Sequence, residues 1–179
     1  MKQLLISLLL IGSITFAHAQ QKEKTSGADK KTSSKKSLPG KLIGTWTLVL
    51  VDNILPDGSR VELYDPSPQG ILMFDAHGNY SLQILRASRV KFAANDKSQG
   101  TLEEYKAAVQ GSNTHFGKYT IDESNGTITF YIEHASYPNW EGTEHKRLYT
   151  LNNNELKYTV PTPTTGAGAT GEVVWKRIQ

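Results

Sequence analysis

The 179 residues carry 20 Lys and Arg against 17 Asp and Glu, with 37% hydrophobic residues, 9% aromatic residues and no cysteine. That composition suits one folded soluble domain and excludes a disulfide framework, a thiolate nucleophile, a Cys-ligated zinc and a lipidated cysteine. The net charge of +3 comes from the first 40 residues, because 41–179 hold 13 basic and 15 acidic residues; no basic face there argues for nucleic acid.

Met1-Lys2-Gln3, an apolar run over 4–16 and Ala17-His18-Ala19 read as a secretory signal peptide, residues 1–19, cleaved after Ala19. The apolar run falls short of the roughly 20 residues a membrane span needs. The expected mature chain therefore has no transmembrane span and is periplasmic or secreted; an uncleaved N-terminal anchor is the competing reading. Residues 20–40 are Lys, Ser, Thr and Gly with little to bury, which predicts a flexible linker. Residues 41–179 form the folded domain.

Within that domain, alternation predicts a strand over 43–54, with Trp46, Leu48 and Leu50 on one face, then strands over 70–74 and 80–86 around an Asp75-Ala76-His77-Gly78 turn. A helix fits 101–110, where Thr101 can cap, Glu103 and Glu104 fill the first turn and Gly111 stops it. Strands over 115–121, 127–134, 143–151, 154–160 and 171–178 follow, for eight in all. The connections alternate long and short, so an up-and-down meander gathers the four long ones at one end. The expected architecture is an all-β, eight-stranded antiparallel barrel, closed by tight turns below and open at a functional mouth above.

Gly44-Thr45-Trp46 opens the first strand and Trp175-Lys176-Arg177 nearly closes the last. These segments, with Pro56-Asp57-Gly58-Ser59-Arg60, Glu103-Glu104-Tyr105-Lys106-Ala107-Ala108 and Pro138-Asn139-Trp140-Glu141-Gly142-Thr143, resemble the bacterial and fungal lipocalin-like domain family of the calycin superfamily. The resemblance spans 42–179 and implies a barrel that holds a small apolar or amphipathic ligand. It brings no catalytic residues and no cofactor. It also implies a structural role for Trp46 and Arg177, a basic side chain packed over the tryptophan at the barrel floor.

Period-2 registers then assign the interior. Pairing Leu151 with Asn154 sets Tyr149 opposite Leu156 and Arg147 opposite Tyr158. Pairing Ile121 with Ile128 sets Tyr119 opposite Phe130 and His115 opposite His134. A matching register on the next strand sets Phe130 opposite Tyr149, Ile132 opposite Arg147 and His134 opposite His145. Two readings of the histidines stay open, solvated rim residues or a row of His115, His134 and His145 able to hold a divalent metal. An inward Arg147 needs a partner: either an anionic ligand group, shared with Arg86 and with its apolar body among Tyr80, Leu82, Phe130 and Tyr149, or an internal ion pair with Glu133 or Glu144 after a register shift. The remaining alternative is an Arg147 that faces outward. Trp140 reads as a lid stacking on ligand or as an anchor for its loop.

The function expected from the sequence is binding of a small hydrophobic or amphipathic molecule without covalent chemistry. The alternatives are an isomerase or cyclase that moves a proton with His115, His134 or Tyr119, and an envelope interaction domain whose barrel is filled by its own side chains. No oligomeric state follows from the sequence.

Overall fold

The computed structural model describes residues 40–166 and 168–179. The expected signal peptide, and the expected linker apart from Gly40, lie outside the described residues. The chain runs β1 (Gly44–Ile54), β2 (Arg60–Glu62), β3 (Gln69–Phe74), β4 (Asn79–Leu85), α1 (Leu102–Gln110), β5 (Ser112–Asp122), β6 (Thr127–Ala135), a 3-10 turn (Pro138–Trp140), β7 (Glu144–Asn152), β8 (Glu155–Val160) and β9 (Thr170–Arg177). Every neighbouring pair is antiparallel, and β1 pairs with β9 as well as with β3. β1 and β3 to β9 thus close into an eight-stranded barrel, which leaves no long sheet edge unpaired.

β2 is the one strand absent from the sequence reading. It pairs only with the mouth end of β1, Asp52 opposite Glu62 and Ile54 opposite Arg60. All three of its residues are exposed, so no apolar alternation marks it. Arg60 holds it in place by reaching Asp52 Oδ2 at 2.9 Å and Glu172 Oε1 at 2.5 Å.

Local chemistry sets the polarity of the cup. At the closed end, Asp75 Oδ1 accepts from the backbone N–H of His77 and Asn79, and Asp122 Oδ1 accepts from Ser124 Oγ. Such side-chain bonds favour tight turns over continued strand. The third turn contains Asn153 in the left-handed region, φ 51°. The long connections, 55–68, 86–111, 136–143 and 161–169, all leave the opposite end. α1 stands there behind a capping box: Thr101 Oγ1 accepts from Glu104 N, and Glu104 Oε2 accepts from Thr101 N. No described helix is long and apolar enough to cross a membrane.

The floor is a packed core of Leu42, Trp46, Leu72, Ile121, Ile128, Leu156 and Trp175, all fully or almost fully buried. A buried tryptophan removing 150–250 Å² from water contributes about 4–6 kcal/mol at 25 cal/mol per Å². Higher up, β1 changes phase. Leu48 pairs with Trp175 and Leu50 with Val174, which leaves Val49 as an extra, bulged residue. The expected inward run of Trp46, Leu48 and Leu50 therefore holds only as far as Leu48. Above the bulge Val51 and Asn53 face in, and Leu50 is only partly buried.

Candidate ligand-binding cavity

The upper half of the barrel encloses a cavity of about 370 Å³ that opens at the end carrying the long connections. Its walls are Val51 and Asn53 on β1, Leu82 and Ile84 on β4, Asn113 and His115 on β5, Phe130 on β6, Glu144, His145 and Arg147 on β7, Tyr158 and Val160 on β8, and Gly171 and Val173 on β9. Leu63, Tyr64, Trp140 and residues 162–165 line it from the mouth loops. Below, Phe130 joins Tyr80 at 4.7 Å and Tyr158 at 5.9 Å between ring centroids, while Tyr119 packs on Phe74 at 4.6 Å. A hollow of this size does not fit an interior filled by the protein's own side chains.

Three registers differ from the sequence reading. Tyr149 lies opposite Tyr158, and Leu151 opposite Leu156, because the turn centres on Asn153 and Asn154 rather than Asn152 and Asn153. Phe130 lies opposite His145, and Ile128 opposite Arg147. There β7 leaves β6 early, at a loop closed by Ile132 N to Thr143 O and Gly142 N to Ile132 O. Both shifts are by an even number of residues, so the inward set survives. The third is odd. β5 and β6 keep Tyr119 opposite Phe130 and Gly117 opposite Ile132, but Glu133 bulges out and Phe116, not His115, faces His134.

That bulge dissolves the expected histidine row. His134 lies outside, 5.4 Å from the Phe116 ring and with Nδ1 3.5 Å from Glu141 Oε1. His115 and His145 remain inside, with ring centroids 5.8 and 5.2 Å from that of Trp140. Among the described residues, no group of three His, Cys, Asp or Glu side chains could hold a metal ion.

Arg147 reaches the cavity and, among the described residues, has no ion pair; neither Glu133 nor Glu144 closes on it. Its Nη2 donates to His145 Nδ1 at 3.0 Å and its Nη1 to Lys146 O at 3.0 Å. Burial lowers its pKa, opposed by the nearby hydroxyls of Tyr158 and Tyr80. Burial also pushes His115 down to about 3, helped by His145 and Arg147, and pushes His145 down to about 4, helped by Arg147. Both imidazoles are therefore neutral near pH 7, and Arg147 is the cation of this wall. Tyr158 is pushed up to about 12 by burial and stays protonated.

Several expected ligand contacts lie elsewhere. Arg86 does not line the cavity: its Nη2 donates to Leu63 O at 3.1 Å and its Nη1 lies 3.7 Å from Asp65 Oδ1. Beyond the end of β4 it is engaged in holding the 55–68 connection. Tyr119 donates to Asp75 O at 2.9 Å in the floor. Tyr149 lines a separate hollow of about 300 Å³ at the closed end, with Lys41, Leu42 and Leu151. Tyr80 sits beneath the cavity with its hydroxyl 2.7 Å from His115 Nδ1. Asn53, Asn113 and Tyr64 escaped the sequence reading. Asn53 is 2% exposed and donates through Nδ2 to Thr165 O at 2.8 Å, while its Oδ1 and that of Asn113 are buried without a donor among the described residues. A polar residue in an apolar strand was the available signal, hidden by the bulge below it.

A closed up-and-down barrel with one loop-rimmed mouth above a packed tryptophan floor defines a lipocalin-type fold. The chain belongs to the lipocalin-like domain family, whose model matches residues 43–178. It is 24% identical over 106 residues to the 4'-hydroxy-3'-methoxypropiophenone carrier protein ppsC of Aspergillus oryzae (strain ATCC 42149 / RIB 40), an alignment covering 55% of this chain and 96% of that relative. Among solved structures it is similar to a lipocalin-like protein from Bacteroides uniformis ATCC 8492, at 16% identity and a TM-score of 0.42 over 78% of this chain and 100% of that one. It is also similar to a redesigned β-barrel, at 18% identity and a TM-score of 0.38 over 78% of this chain and 93% of that one.

Proposed function

We propose that this protein is a periplasmic or secreted carrier that holds one small amphipathic molecule in its barrel, with an anionic or strongly accepting group at Arg147. The observation that carries the reading is Arg147 itself, a cation in the cavity wall that forms no ion pair among the described residues. Desolvating a guanidinium without a counter-charge is costly, and a bound anion offsets that cost. Phe130, Tyr158 and Trp140 offer aromatic surface for the rest of the guest. The named cargo of the Aspergillus relative, a phenolic ketone, pairs an aromatic body with polar groups and suits the same walls. The extracytoplasmic destination rests on the leader in residues 1–19.

A proton-moving reading has one observation in its favour, the 2.7 Å contact of His115 with Tyr80. The chemistry weighs against it. A general base works best with a pKa near the operating pH, and burial holds both cavity histidines far below that. Their Nδ1 atoms are also already engaged, by Tyr80 and by Arg147.

Native mass spectrometry of the protein isolated from its own host tests the proposal. The expected result is one small molecule per chain, strongly depleted in Arg147→Met. The same guest at the same occupancy in both proteins overturns the role of Arg147, and a wild-type protein that never carries a guest overturns the carrier reading.

A further inference from the structure

The two cavity histidines are held by different partners in one and the same tautomer. A guanidinium has only N–H donors, so the 3.0 Å contact from Arg147 Nη2 makes His145 Nδ1 the acceptor. In a neutral ring the proton then sits on Nε2. His115 reaches the same state by another route. Its Nδ1 lies 2.7 Å from the hydroxyl of Tyr80, which is 4% exposed and has no other side-chain hydrogen bond among the described residues. If Nδ1 donated, the tyrosyl proton would be left without an acceptor in the core. Tyr80 therefore donates, and His115 also keeps its proton on Nε2.

Both rings line the cavity and contact Trp140, and the cation beside them has no ion pair among the described residues. Glu144 also lines the cavity, but it is exposed and forms no ion pair with Arg147. The unpaired acceptors Asn53 Oδ1 and Asn113 Oδ1 belong to the mouth ends of β1 and β5. We infer that His115 and His145 serve as fixed hydrogen-bond donors which, together with Arg147, select a ligand with a carboxylate head group. This rests on the reading of the barrel as a small-molecule carrier and narrows it to a ligand class. A carboxylate brings two oxygens with about four lone-pair sites to meet a guanidinium and two N–H groups. An alcohol or a primary amide fills fewer of those donors, and an ammonium fills none. Burial holds both imidazoles below the ordinary histidine range, which keeps the donor pattern intact at neutral pH.

The test uses the full chain labelled with 15N-histidine and three matched probes: 3-phenylpropanoate, 3-phenylpropanamide and 3-phenylpropanol. Long-range 1H–15N spectra of the free protein are expected to show the Nε2–H tautomer for both His115 and His145. The carboxylate is expected to bind about tenfold or more tightly than the amide or the alcohol and to shift both Nε2 resonances. His145→Phe should narrow that preference. An Nδ1–H tautomer at either residue, or equal binding of the three probes, overturns the proposal; equal binding that still depends on Arg147 leaves the carrier reading standing. Failure of all three probes to bind also overturns it, and a guest that co-purifies from the host then shows that only the head-group assignment has failed.

Discussion

The Arg177 guanidinium lies 4.1 Å from the centroid of the Trp46 ring and donates from Nη1 to Ile43 O at 2.8 Å. The two residues face each other across the β1–β9 seam that closes the barrel, and Trp46 Nε1 donates in turn to Leu42 O at 3.0 Å. Gly44 makes room for this arrangement, since a Cβ there would stand 2.9 Å from Arg177 Nη1. Arg177→Met keeps the apolar stem and removes the cation and its donors. The expected cost is about 1–2 kcal/mol, read as a lower melting temperature with probe affinity unchanged. An unaltered melting temperature contradicts the pairing.

Gly117 faces the β6 bulge, where an added Cβ would fall 2.2 Å from Tyr131 O and 2.8 Å from Glu133 N. Both neighbours are backbone, so neither can swing aside. Gly117→Ala is expected to destabilise by roughly 2–3 kcal/mol in urea titration. A variant as stable as wild type would mean that the bulge, and with it the outward His134, is not built as described.

The buried histidines give stability an acid limit. His115 has a folded pKa of about 3 against an ordinary value of 6.5, so below pH 6.5 the unfolded chain takes up the proton first. Its contribution is complete above pH 6.5 and is lost as pH falls toward 3, by on the order of 4–5 kcal/mol in total. His145 acts in the same direction, with a folded pKa of about 4, though its partial exposure makes its share smaller. Carboxylates add their own acid dependence at the lower end. The diagnostic is therefore the difference between wild type and His115→Gln in chemical denaturation from pH 7 to pH 4, where the variant should show the flatter profile. Matching profiles contradict the assignment.

Trp140 is clasped by His115, His145 and Tyr137 at 5.8, 5.2 and 5.6 Å. Aromatic pairs of this kind contribute about 0.5–1.5 kcal/mol each. Trp140→Ala is expected to speed release of a bound fluorescent probe by about tenfold in stopped-flow measurements and to lower the melting temperature by several degrees as the three ring contacts are lost. A large loss of stability with unchanged release would mark Trp140 as an anchor of its loop instead.

The proposed secretion has a direct check. N-terminal sequencing of the protein from its host should begin at Gln20, in the extracytoplasmic fraction. An intact Met1 in the cytoplasm contradicts the signal peptide.

What the sequence revealed divides along a simple physical line. Strand alternation, the Asp-based turns, the Thr101 cap and the alternating loop lengths act locally and are legible in the sequence. The turn at Asn152–Asn154 is legible as a turn, but its centre is not. Pairing register depends on where strands part company, as β7 does from β6 at Ile132, and no local pattern encodes that. Even errors of register were harmless because side chains alternate with period two, so Arg147, Phe130 and Tyr158 stayed inside. The bulges at Val49 and Glu133 are odd insertions. They turned Asn53 inward and His134 outward, and with them went the expected histidine row. β2 went unseen because ion pairs through Arg60, rather than apolar burial, hold it.

Titration with 1-anilinonaphthalene-8-sulfonate, an anionic aromatic probe, puts the carrier account most directly at risk when wild type, Arg147→Met and a control, Arg89→Met, are compared. Arg89 is exposed in the 86–111 connection and does not line the cavity. One saturable site is predicted in wild type and in Arg89→Met, weakened about tenfold or more in Arg147→Met. Equal affinity in all three, or no saturable site in wild type, would contradict a guest held at Arg147.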